Sequence, residues 1–261
     1  MEILKSKKLF LLDMDGTLYL DNDLFDGTTE FLEYIKSSGG KYLFLTNNSS
    51  KSVNKYVEKM ANLGIETTEN DFLTSSQATS FYHKKKKYKK IYVFGTDSLK
   101  EELGCFNITD KLEDEIDCLV MGFDTQLTFQ KLEDACILLG RGVDYIATNP
   151  DYVCPTSYGY VPDCGSVSDM LYNATKRRPL FIGKPKPEMA LLAMEKTGYS
   201  KAETVIIGDR IYTDIACGLN AGIDSIMVLS GESTRQDIEK YKINPTFVLD
   251  DIRDVLSVMK E

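Results

Sequence analysis

The sequence predicts an α/β protein whose core is a Rossmann-like, doubly wound parallel sheet, with a smaller α/β domain inserted into it. Short, continuous apolar runs recur along the chain, and such runs are typical of strands buried on both faces of a parallel sheet. Most of these runs are followed by a segment with the apolar spacing of an amphipathic helix. This alternation of strand and helix is typical of a doubly wound fold.

The individual elements follow from these patterns in chain order. The run at 9–12 predicts the first strand, and the helix after Gly27 is predicted to end at the glycine pair 39–40. The predicted strands span residues 9–12, 42–45, 91–95, 118–123, 145–148, 180–183, 204–208, 225–229 and 247–249. The predicted helices span residues 28–38, 52–63, 97–103, 128–139, 187–197 and 250–259, with a further helix, of undefined bounds, between residues 148 and 179.

Polar residues that follow apolar runs become scarce between residues 78 and 178. We therefore predict a core domain formed by residues 1–77 and 179–261, and an inserted α/β domain formed by residues 78–178. A loop at 149–165 is rich in proline and tyrosine. It is interpreted either as a rigid loop that displays aromatic side chains to a ligand or as a packing loop.

Composition and charge narrow the classes of function. The chain has 261 residues and a net charge of -9, from 40 acidic and 31 basic side chains. This mildly acidic balance disfavours nucleic acids and anionic membranes as partners, and it favours small molecules or other proteins. No apolar stretch approaches the ~20 residues needed to span a bilayer, so a cytoplasmic location is predicted.

Cysteine and histidine usage excludes several kinds of site. The six cysteines form no CxxC pair and have no histidine partners in the sequence, so we expect reduced core thiols. The single histidine, His83, stands beside the lysine run 84–87, and this position predicts a solvated helix end. A Ser-His-Asp triad would therefore have to use His83 itself.

Four of the predicted strands end in polar side chains of complementary chemistry. These side chains are Asp13 and Asp15, then Thr46 and Asn47, then Lys184, and finally Asp209. The carboxyl ends of parallel strands form the edge of an open sheet where ligands bind. Carboxylate oxygens suit Mg²⁺, while the hydroxyl, amide and ammonium groups suit phosphate oxygens. The set predicts a phosphate site, although Asp13 and Asp15 alone would allow either a metal site or a nucleophile and an acid.

These residues resemble a known family. Asp13-Met14-Asp15-Gly16-Thr17 is similar to the DxDGT signature of the haloacid dehalogenase-like (HAD) superfamily, and Thr46, Lys184 and the stretch 208–214 are similar to its other motifs in order. The segments 45–49, 147–151 and 183–185 further resemble the NagD-like branch. That branch includes p-nitrophenyl phosphatases, phosphoglycolate and pyridoxal phosphate phosphatases, and nucleotide monophosphatases. The resemblance covers nearly the whole chain, and it implies the HAD fold with a large α/β (C2-type) cap between the second and third motifs.

The resemblance also implies a mechanism, in which a phosphate monoester is hydrolysed through an aspartyl phosphate. Asp13 is the expected nucleophile, and Asp15 is the expected general acid and base. The carboxylates of Asp13 and Asp209 and the backbone carbonyl of Asp15 are expected to hold Mg²⁺, while Asp214 orients a metal-bound water. Thr46 and Lys184 are expected to bind the phosphoryl oxygens.

Substrate choice is assigned to a second group of residues. The substrate-binding residues expected from the sequence are Gly16, Asn47, Asn48, Asn149, Tyr152, Cys154 and Tyr158. In the branch that the chain resembles, the loop corresponding to 149–165 faces the leaving group. Pyridoxal phosphatases carry a histidine near the position of Cys154, and its absence here counts against pyridoxal phosphate as the substrate.

The sequence thus predicts a Mg²⁺-dependent phosphatase of small phosphomonoesters, such as p-nitrophenyl phosphate, nucleotide monophosphates or sugar phosphates. Two alternatives remain: a phosphomutase that passes the aspartyl phosphate to a sugar, and a regulatory or binding member of the fold without turnover. The large cap argues against the phosphomutase. The retained catalytic residues argue against a member of the fold without turnover. Because relatives often associate through their caps, the resemblance also allows a homodimer.

Overall fold

The computed structural model describes residues 2–156 and 158–261. Its strands are β1 (Leu9–Leu12), β2 (Tyr19–Leu20), β3 (Asp23–Leu24), β4 (Lys41–Thr46), β5 (Phe72–Thr74), β6 (Ile91–Phe94), β7 (Ile108–Thr109), β8 (Cys118–Met121), β9 (Asp144–Ala147), β10 (Val153–Thr156), β11 (Gly159–Pro162), β12 (Leu180–Phe181), β13 (Thr204–Gly208), β14 (Asp224–Val228) and β15 (Phe247–Leu249).

The α-helices are α1 (Glu2–Lys5), α2 (Thr28–Ser37), α3 (Val53–Asn62), α4 (Ser75–Lys86), α5 (Asp97–Glu102), α6 (Phe129–Gly140), α7 (Cys164–Thr175), α8 (Glu188–Thr197), α9 (Ala216–Ala221), α10 (Arg235–Tyr241) and α11 (Ile252–Lys260). A 3₁₀ turn at Glu69–Asp71 and a π-helical segment at Ile211–Ile215 complete the set in the described ranges. None of the described helices has the length and apolar character needed to cross a membrane.

Unit 1 comprises Met1–Thr46, Val57–Leu73 and Lys184–Glu261. Its six-stranded sheet has the order β15-β14-β13-β1-β4-β5, and β1 pairs in parallel with both β13 and β4. All four residues of β1 are buried, as the apolar run Leu9–Leu12 predicts for a central strand. The carboxyl ends of β1, β4 and β13 consequently lie side by side.

Helices α2 and α11 pack together in unit 1. The apolar residues Ile252, Val255, Leu256 and Met259 recur at helical spacing along α11 and are buried. The Tyr34 hydroxyl of α2 donates a hydrogen bond to the Met259 carbonyl of α11 at 2.9 Å. The ring of Phe31, also on α2, meets the Phe10 ring of β1 edge-on at a centroid distance of 6.2 Å, so α2 also packs onto the sheet.

Unit 2 comprises Asn47–Tyr56 and Thr74–Gly183. It has its own five-stranded sheet of order β12-β9-β8-β6-β7, in which the paired strands run parallel, and a separate antiparallel hairpin of β10 and β11. Helices α6 and α7 contribute Leu138 and Leu171 to a buried cluster with Leu119 and Met121 of β8. This core is apolar enough to make unit 2 compact by itself.

The fold class that the sequence predicts is confirmed, and every predicted strand and bounded helix is present within a few residues of its expected limits. One assignment needs correction. The run 180–183 was expected in the core sheet, but Leu180–Phe181 pairs with Ile146–Ala147 in unit 2. Any short apolar run fits either parallel sheet, so pairing partners are not encoded in the run itself. The division into 1–77, 78–178 and 179–261 also differs from the two units, because residues 47–56, 74–77 and 179–183 join unit 2.

His83 departs from the expectation of a solvated helix end. It does lie near the end of α4, but the side chain is 1% exposed and its ring lies within 6.0 Å of the rings of Tyr82, Tyr88 and Phe106. The lysines that follow it are exposed, and only the histidine turns inward. The cysteines are free thiols as predicted, but Cys105 is exposed rather than in the core.

Candidate active site

A tight turn after β1 presents the two aspartates of the first motif. The Asp13 amide donates to the Ile207 carbonyl of β13 at 2.9 Å, and the Met14 carbonyl accepts from the Thr17 amide at 3.1 Å. Gly16 has φ +86°, and a Cβ at this position would lie 2.6 Å from Asp209 Oδ2. Glycine is therefore required here both for the turn and for the close approach of the backbone to Asp209.

Lys184 joins two carboxylates in unit 1. Its Nζ atom lies 2.6 Å from Asp13 Oδ1 and 2.5 Å from Asp214 Oδ1, and it donates to the Leu45 carbonyl of β4 at 3.1 Å. The Lys184 side chain is 2% exposed and the Asp214 side chain 1%. A buried ammonium is thus fully engaged with charged and polar partners.

Asp209 follows β13 and is oriented largely by backbone groups. Its Oδ2 accepts a hydrogen bond of 2.7 Å from the Glu232 amide, and its Oδ1 lies 3.5 Å from the Thr17 hydroxyl. Asp214 is fixed in a similar way, because its Oδ2 accepts from the Arg210 amide at 3.1 Å. Both carboxylates are therefore held in place by groups of the protein itself.

The carboxylates of Asp13, Asp209 and Asp214 form a group that could hold a metal ion. One oxygen of each lies within 4.8 Å of the others. The Asp15 carboxylate is not a member of this group. The expected contribution of its backbone carbonyl stays a prediction. Thr46 ends β4 and is buried, so unit 1 brings together the end of β4 with the ends of β1 and β13.

In unit 2, Asn47 is held by the loop that begins at Asn149. The Asn47 amide nitrogen donates to Asp151 Oδ2 at 3.0 Å, and the Asn47 carbonyl accepts from Asn149 Nδ2 and from the Ser75 hydroxyl, both at 2.7 Å. Asn149 is fully buried, and Asn47 and Asp151 are nearly so. Asn48 instead closes a local turn, since its Oδ1 accepts from the Ser50 amide at 2.9 Å.

The hairpin of β10 and β11 carries the remaining residues expected to bind substrate. Tyr152 is 59% exposed and Tyr158 is 82% exposed, so neither is part of the packed core of unit 2. Cys154 is half-buried and pairs with Val161 across the hairpin. Of the two interpretations of this loop, the display of aromatic side chains fits these two tyrosines.

The sequence matches a family model described as haloacid dehalogenase-like hydrolase over residues 10–109, and a second HAD-hydrolase-like model over residues 181–255. It is 32% identical over 259 residues to an acid sugar phosphatase of Staphylococcus aureus, which covers 99% of this chain and 100% of that protein. The chain belongs to the haloacid dehalogenase-like hydrolase family. The family resemblance of the sequence is thereby confirmed.

Solved structures of phosphatases share the fold over nearly the whole chain. A 4-nitrophenylphosphatase from Thermotoga maritima is 39% identical, with a TM-score of 0.93 and coverage of 98% of this chain and 99% of that one. A glycerol phosphate phosphatase from Mycobacterium tuberculosis, in complex with magnesium, is 27% identical, with a TM-score of 0.90 and coverage of 96% and 77%. As a member of this branch of HAD hydrolases, the protein is an enzyme of the phosphoric monoester hydrolase class, as predicted.

Burial shifts the pKa values of the ionisable groups at this site. Burial raises the pKa of Asp13 well above its usual range; the charges of Asp214 and Asp209 add to this, and Lys184 opposes it. Burial and the charge of Asp214 raise the pKa of Asp209 to about 6. Burial disfavours the ammonium form of Lys184, but the charges of Asp13 and Asp214 outweigh this effect and raise its pKa.

Several residues of the site escaped the sequence analysis. Gly231 leaves no room for a side chain, because a Cβ there would collide with the Asp209 carboxylate, and the Ser230 hydroxyl donates to the Gly16 carbonyl at 2.7 Å. Asp151 lies within the segment 147–151, but the sequence pattern predicts no role for it. Lys59 places its Nζ 3.6 Å from Asp15 Oδ1. Its position on a polar helix face looks like that of any solvated lysine, so the sequence gives no signal for it.

Proposed function

We propose that this HAD enzyme is a Mg²⁺-dependent phosphatase that hydrolyses small phosphomonoesters through an aspartyl phosphate on Asp13. The observation that carries the proposal is the contact of Lys184 with both Asp13, which follows β1, and Asp214, which lies in the π-helical segment after β13. A nucleophile, a fixed positive charge and a group of oxygen ligands then lie within one small region of unit 1.

The reaction consists of two displacements at phosphorus. In the first, an Asp13 carboxylate oxygen forms a bond to phosphorus while the bond to the leaving oxygen breaks, and Asp15 gives that oxygen its proton. In the second, water attacks the aspartyl phosphate, Asp15 takes a proton from the water, and inorganic phosphate leaves. Asp13 and Asp15 return to their starting states, so the cycle is balanced.

The residues present fit a divalent cation. Asp13 and Asp214 share the Lys184 ammonium, whereas Asp209 has no ion-pair partner among the described residues, so the ionised group has more carboxylates than contacting ammonium groups. Asp13, Asp209 and the backbone carbonyl of Asp15 would hold Mg²⁺, with Asp214 reaching it through water. When bound, the cation lowers the repulsion between an anionic nucleophile and an anionic phosphate.

Protein groups complete the phosphate site in this proposal. Lys184 and Thr46 bind the phosphoryl oxygens, and Asn47 adds a donor. Because these donors are ordered by burial and hydrogen bonds, little reorganisation accompanies the transfer of charge to the phosphoryl group.

Unit 2 is proposed to be the cap that selects the leaving group. The proposed substrate contacts are those expected from the sequence: Gly16, Asn48, Asn149, Tyr152, Cys154 and Tyr158. Relatives named for acid sugar phosphatase, 4-nitrophenylphosphatase and glycerol phosphate phosphatase activity support small phosphomonoesters, including sugar and polyol phosphates, as the substrate class. A cytoplasmic location and a homodimer remain predictions.

Replacement of Asp13 by asparagine tests the mechanism. Since the amide is a poor nucleophile and a weaker metal ligand, we expect kcat for p-nitrophenyl phosphate with Mg²⁺ to fall about 10⁴-fold or more. Acid quenching with a phosphate ester labelled at phosphorus should trap label on the wild-type protein and none on the variant. Undiminished turnover by Asp13→Asn would remove Asp13 from the mechanism. An inactive wild type across a broad panel of phosphate esters would favour a binding function instead.

A further inference from the structure

Lys59 lies in the last turn of α3 and forms an ion pair with the side chain of Asp15. Its Nζ atom lies 3.6 Å from Asp15 Oδ1 and 3.8 Å from the centre of the Tyr19 ring. The Lys59 side chain is 17% exposed, and that of Asp15 is 39% exposed. The ammonium group is therefore mostly withdrawn from water, between an aromatic face and a carboxylate.

The Asp15 carboxylate depends on this contact. Within residues 2–156 and 158–261, it has no other ion-pair or hydrogen-bond partner. Lys184 is not a partner of the Asp15 side chain, because its Nζ atom is engaged by Asp13, Asp214 and the Leu45 carbonyl. The two lysines of the site thus have separate partners in unit 1.

Lys59 contacts two parts of one rigid turn. The Gly16 amide donates to the Tyr19 carbonyl at 2.9 Å, and the Met14 carbonyl accepts from the amides of Thr17 and Leu18. Tyr19 is fully buried, so its ring is a fixed surface. Since the backbone of Asp15 is already set by the turn, the remaining freedom is that of its side chain, and Lys59 restricts it.

Stability alone does not account for the arrangement. A partly exposed ion pair contributes little to stability, and a cation on an aromatic ring makes a modest contribution. Ordering a lysine side chain costs a comparable amount of conformational entropy. These terms nearly cancel, so the main effect of the contact is on where the Asp15 carboxyl group lies.

We propose that Lys59 is a positioning residue for Asp15, holding its Oδ1 so that Oδ2 exchanges the proton with the leaving oxygen and then with water. This inference rests on the proposed role of Asp15 as the general acid and base. In the first displacement the Asp15 proton goes to the leaving oxygen, and the carboxylate that forms stays beside the Lys59 ammonium. In the second it takes a proton from water. Lys59 itself keeps its protons throughout.

The test compares Lys59→Met and Lys59→Arg on two substrates. Methionine keeps an apolar stem on the Tyr19 ring but removes the charge, while arginine keeps the charge. For glycerol phosphate, whose alkoxide leaving group needs a proton, we expect kcat/KM of Lys59→Met to fall about 10- to 100-fold. For p-nitrophenyl phosphate, whose leaving group departs readily as an anion, the loss should be less than about threefold. Lys59→Arg should restore most of the activity towards glycerol phosphate.

Two further variants separate positioning from general damage. In an Asp15→Asn background, Lys59→Met should cause no additional loss, because there is no proton donor left to position. Lys55 is an exposed lysine one turn earlier on α3, so Lys55→Met is the matched control. It should leave kcat/KM for both substrates unchanged.

Three results would overturn the inference. They are an unchanged kcat/KM of Lys59→Met for glycerol phosphate, an equal loss for both substrates with a lower Tm, and an undiminished Lys59 effect in the Asp15→Asn background. Failure of the proposed function looks different, since Asp15→Asn alone would then retain the hydrolysis of glycerol phosphate.

Discussion

The carboxylate group of unit 1 and the histidine of unit 2 are both buried polar features, but their surroundings are opposite. Asp13, Asp209 and Asp214 are met by the Lys184 ammonium and by backbone amides, including those of Glu232 and Arg210. The ring nitrogens of His83 have no hydrogen-bond partner among the described residues, and aromatic rings surround them. Burial alone therefore does not mark a functional group; the arrangement of partners does.

The same physical cause moves the pKa values of the two features in opposite directions. Burial favours the neutral form of any ionisable group, so it raises the pKa of Asp209 to about 6 and lowers the pKa of His83 to about 4. In unit 1 the buried charges cost free energy, and they lie at the site of the proposed reaction. In unit 2 the histidine stays neutral and packs as an aromatic side chain.

Removing the Lys184 ammonium from unit 1 should produce the largest losses of stability and activity in this comparison. Lys184→Met leaves Asp13 and Asp214 buried without their ammonium partner, so we expect a loss of about 3–5 kcal/mol in the free energy of unfolding. Because the phosphoryl oxygens also lose their fixed positive charge, kcat should fall about 10³-fold or more. Urea denaturation and steady-state assays with p-nitrophenyl phosphate measure the two losses.

Lys7 offers a matched control for Lys184. It is also a buried lysine of unit 1, with a side chain that is 2% exposed and a hydrogen bond of 2.7 Å to the Ala202 carbonyl, and it forms an ion pair with Asp224. Lys7→Met should lower stability but leave kcat unchanged. Equal kinetic losses in both variants would mean that general destabilisation, rather than the charge of Lys184, controls activity.

Because His83 is buried in its neutral form, we expect the stability of the protein to depend on pH. Since the folded-state pKa, about 4, is below the ordinary value of 6.5, the unfolded chain binds more protons between these values. The contribution of neutral His83 is complete above pH 6.5 and is lost as the pH falls towards 4. From pH 7.5 to pH 5 the free energy of unfolding of unit 2 should drop by about 2 kcal/mol from this group.

The variant His83→Phe isolates that contribution. The carboxylates of unit 1 respond to pH in the opposite sense, so the informative quantity is the difference between wild type and variant in urea denaturation at the two pH values. Phenylalanine keeps the ring contacts with Tyr88 and Phe106 and cannot be protonated. A wild type that loses no more stability than His83→Phe between pH 7.5 and pH 5 would contradict the assignment of a neutral buried histidine.

A smaller effect should come from Asp151, a buried carboxylate of unit 2 whose hydrogen-bond partner is the proposed phosphate donor Asn47. Asp151 accepts the hydrogen bond that orients the Asn47 side chain. Asp151→Ala should raise KM for phosphomonoesters and the inhibition constant of inorganic phosphate about 10-fold, with kcat nearly unchanged, because it loosens a proposed phosphate donor. Asp151→Asn keeps an acceptor and should recover part of this loss.

Asp134 is the matched control for Asp151. It is buried in unit 2 and accepts a hydrogen bond of 2.9 Å from the Tyr92 hydroxyl, within the apolar core of that unit. Asp134→Ala should lower the Tm and leave KM unchanged. If both variants raise KM equally, Asp151 has no specific effect on Asn47.

The core of this fold was predictable because its signals are local. Leu9–Leu12 and Thr204–Gly208 are apolar runs long enough to be buried strands, and the polar residues that follow them mark the strand ends. The helix α11 shows its buried face directly in its residue spacing. In each case the residues needed for the interpretation are adjacent or one helical turn apart.

The features that the sequence did not reveal depend on contacts between distant residues. Helix α4 has little amphipathic character, since its buried residues include Ser75, Ser76 and Thr79. The partner of the strand Leu180–Phe181 is set by the completed sheet of unit 2. Likewise, the need for glycine at position 231 exists only because Asp209 lies against it.

The placement of β1 between β4 and β13 has a consequence for synthesis on the ribosome. Leu9 pairs with both Lys41 and Thr204, so the central strand gains its second neighbour only after most of the chain has been made. The continuous segment Thr74–Gly183 of unit 2 is completed before that point. Long-range pairing of this kind is slow to form. The nascent chain must therefore carry its first aspartates, without their lysine partner, through most of translation.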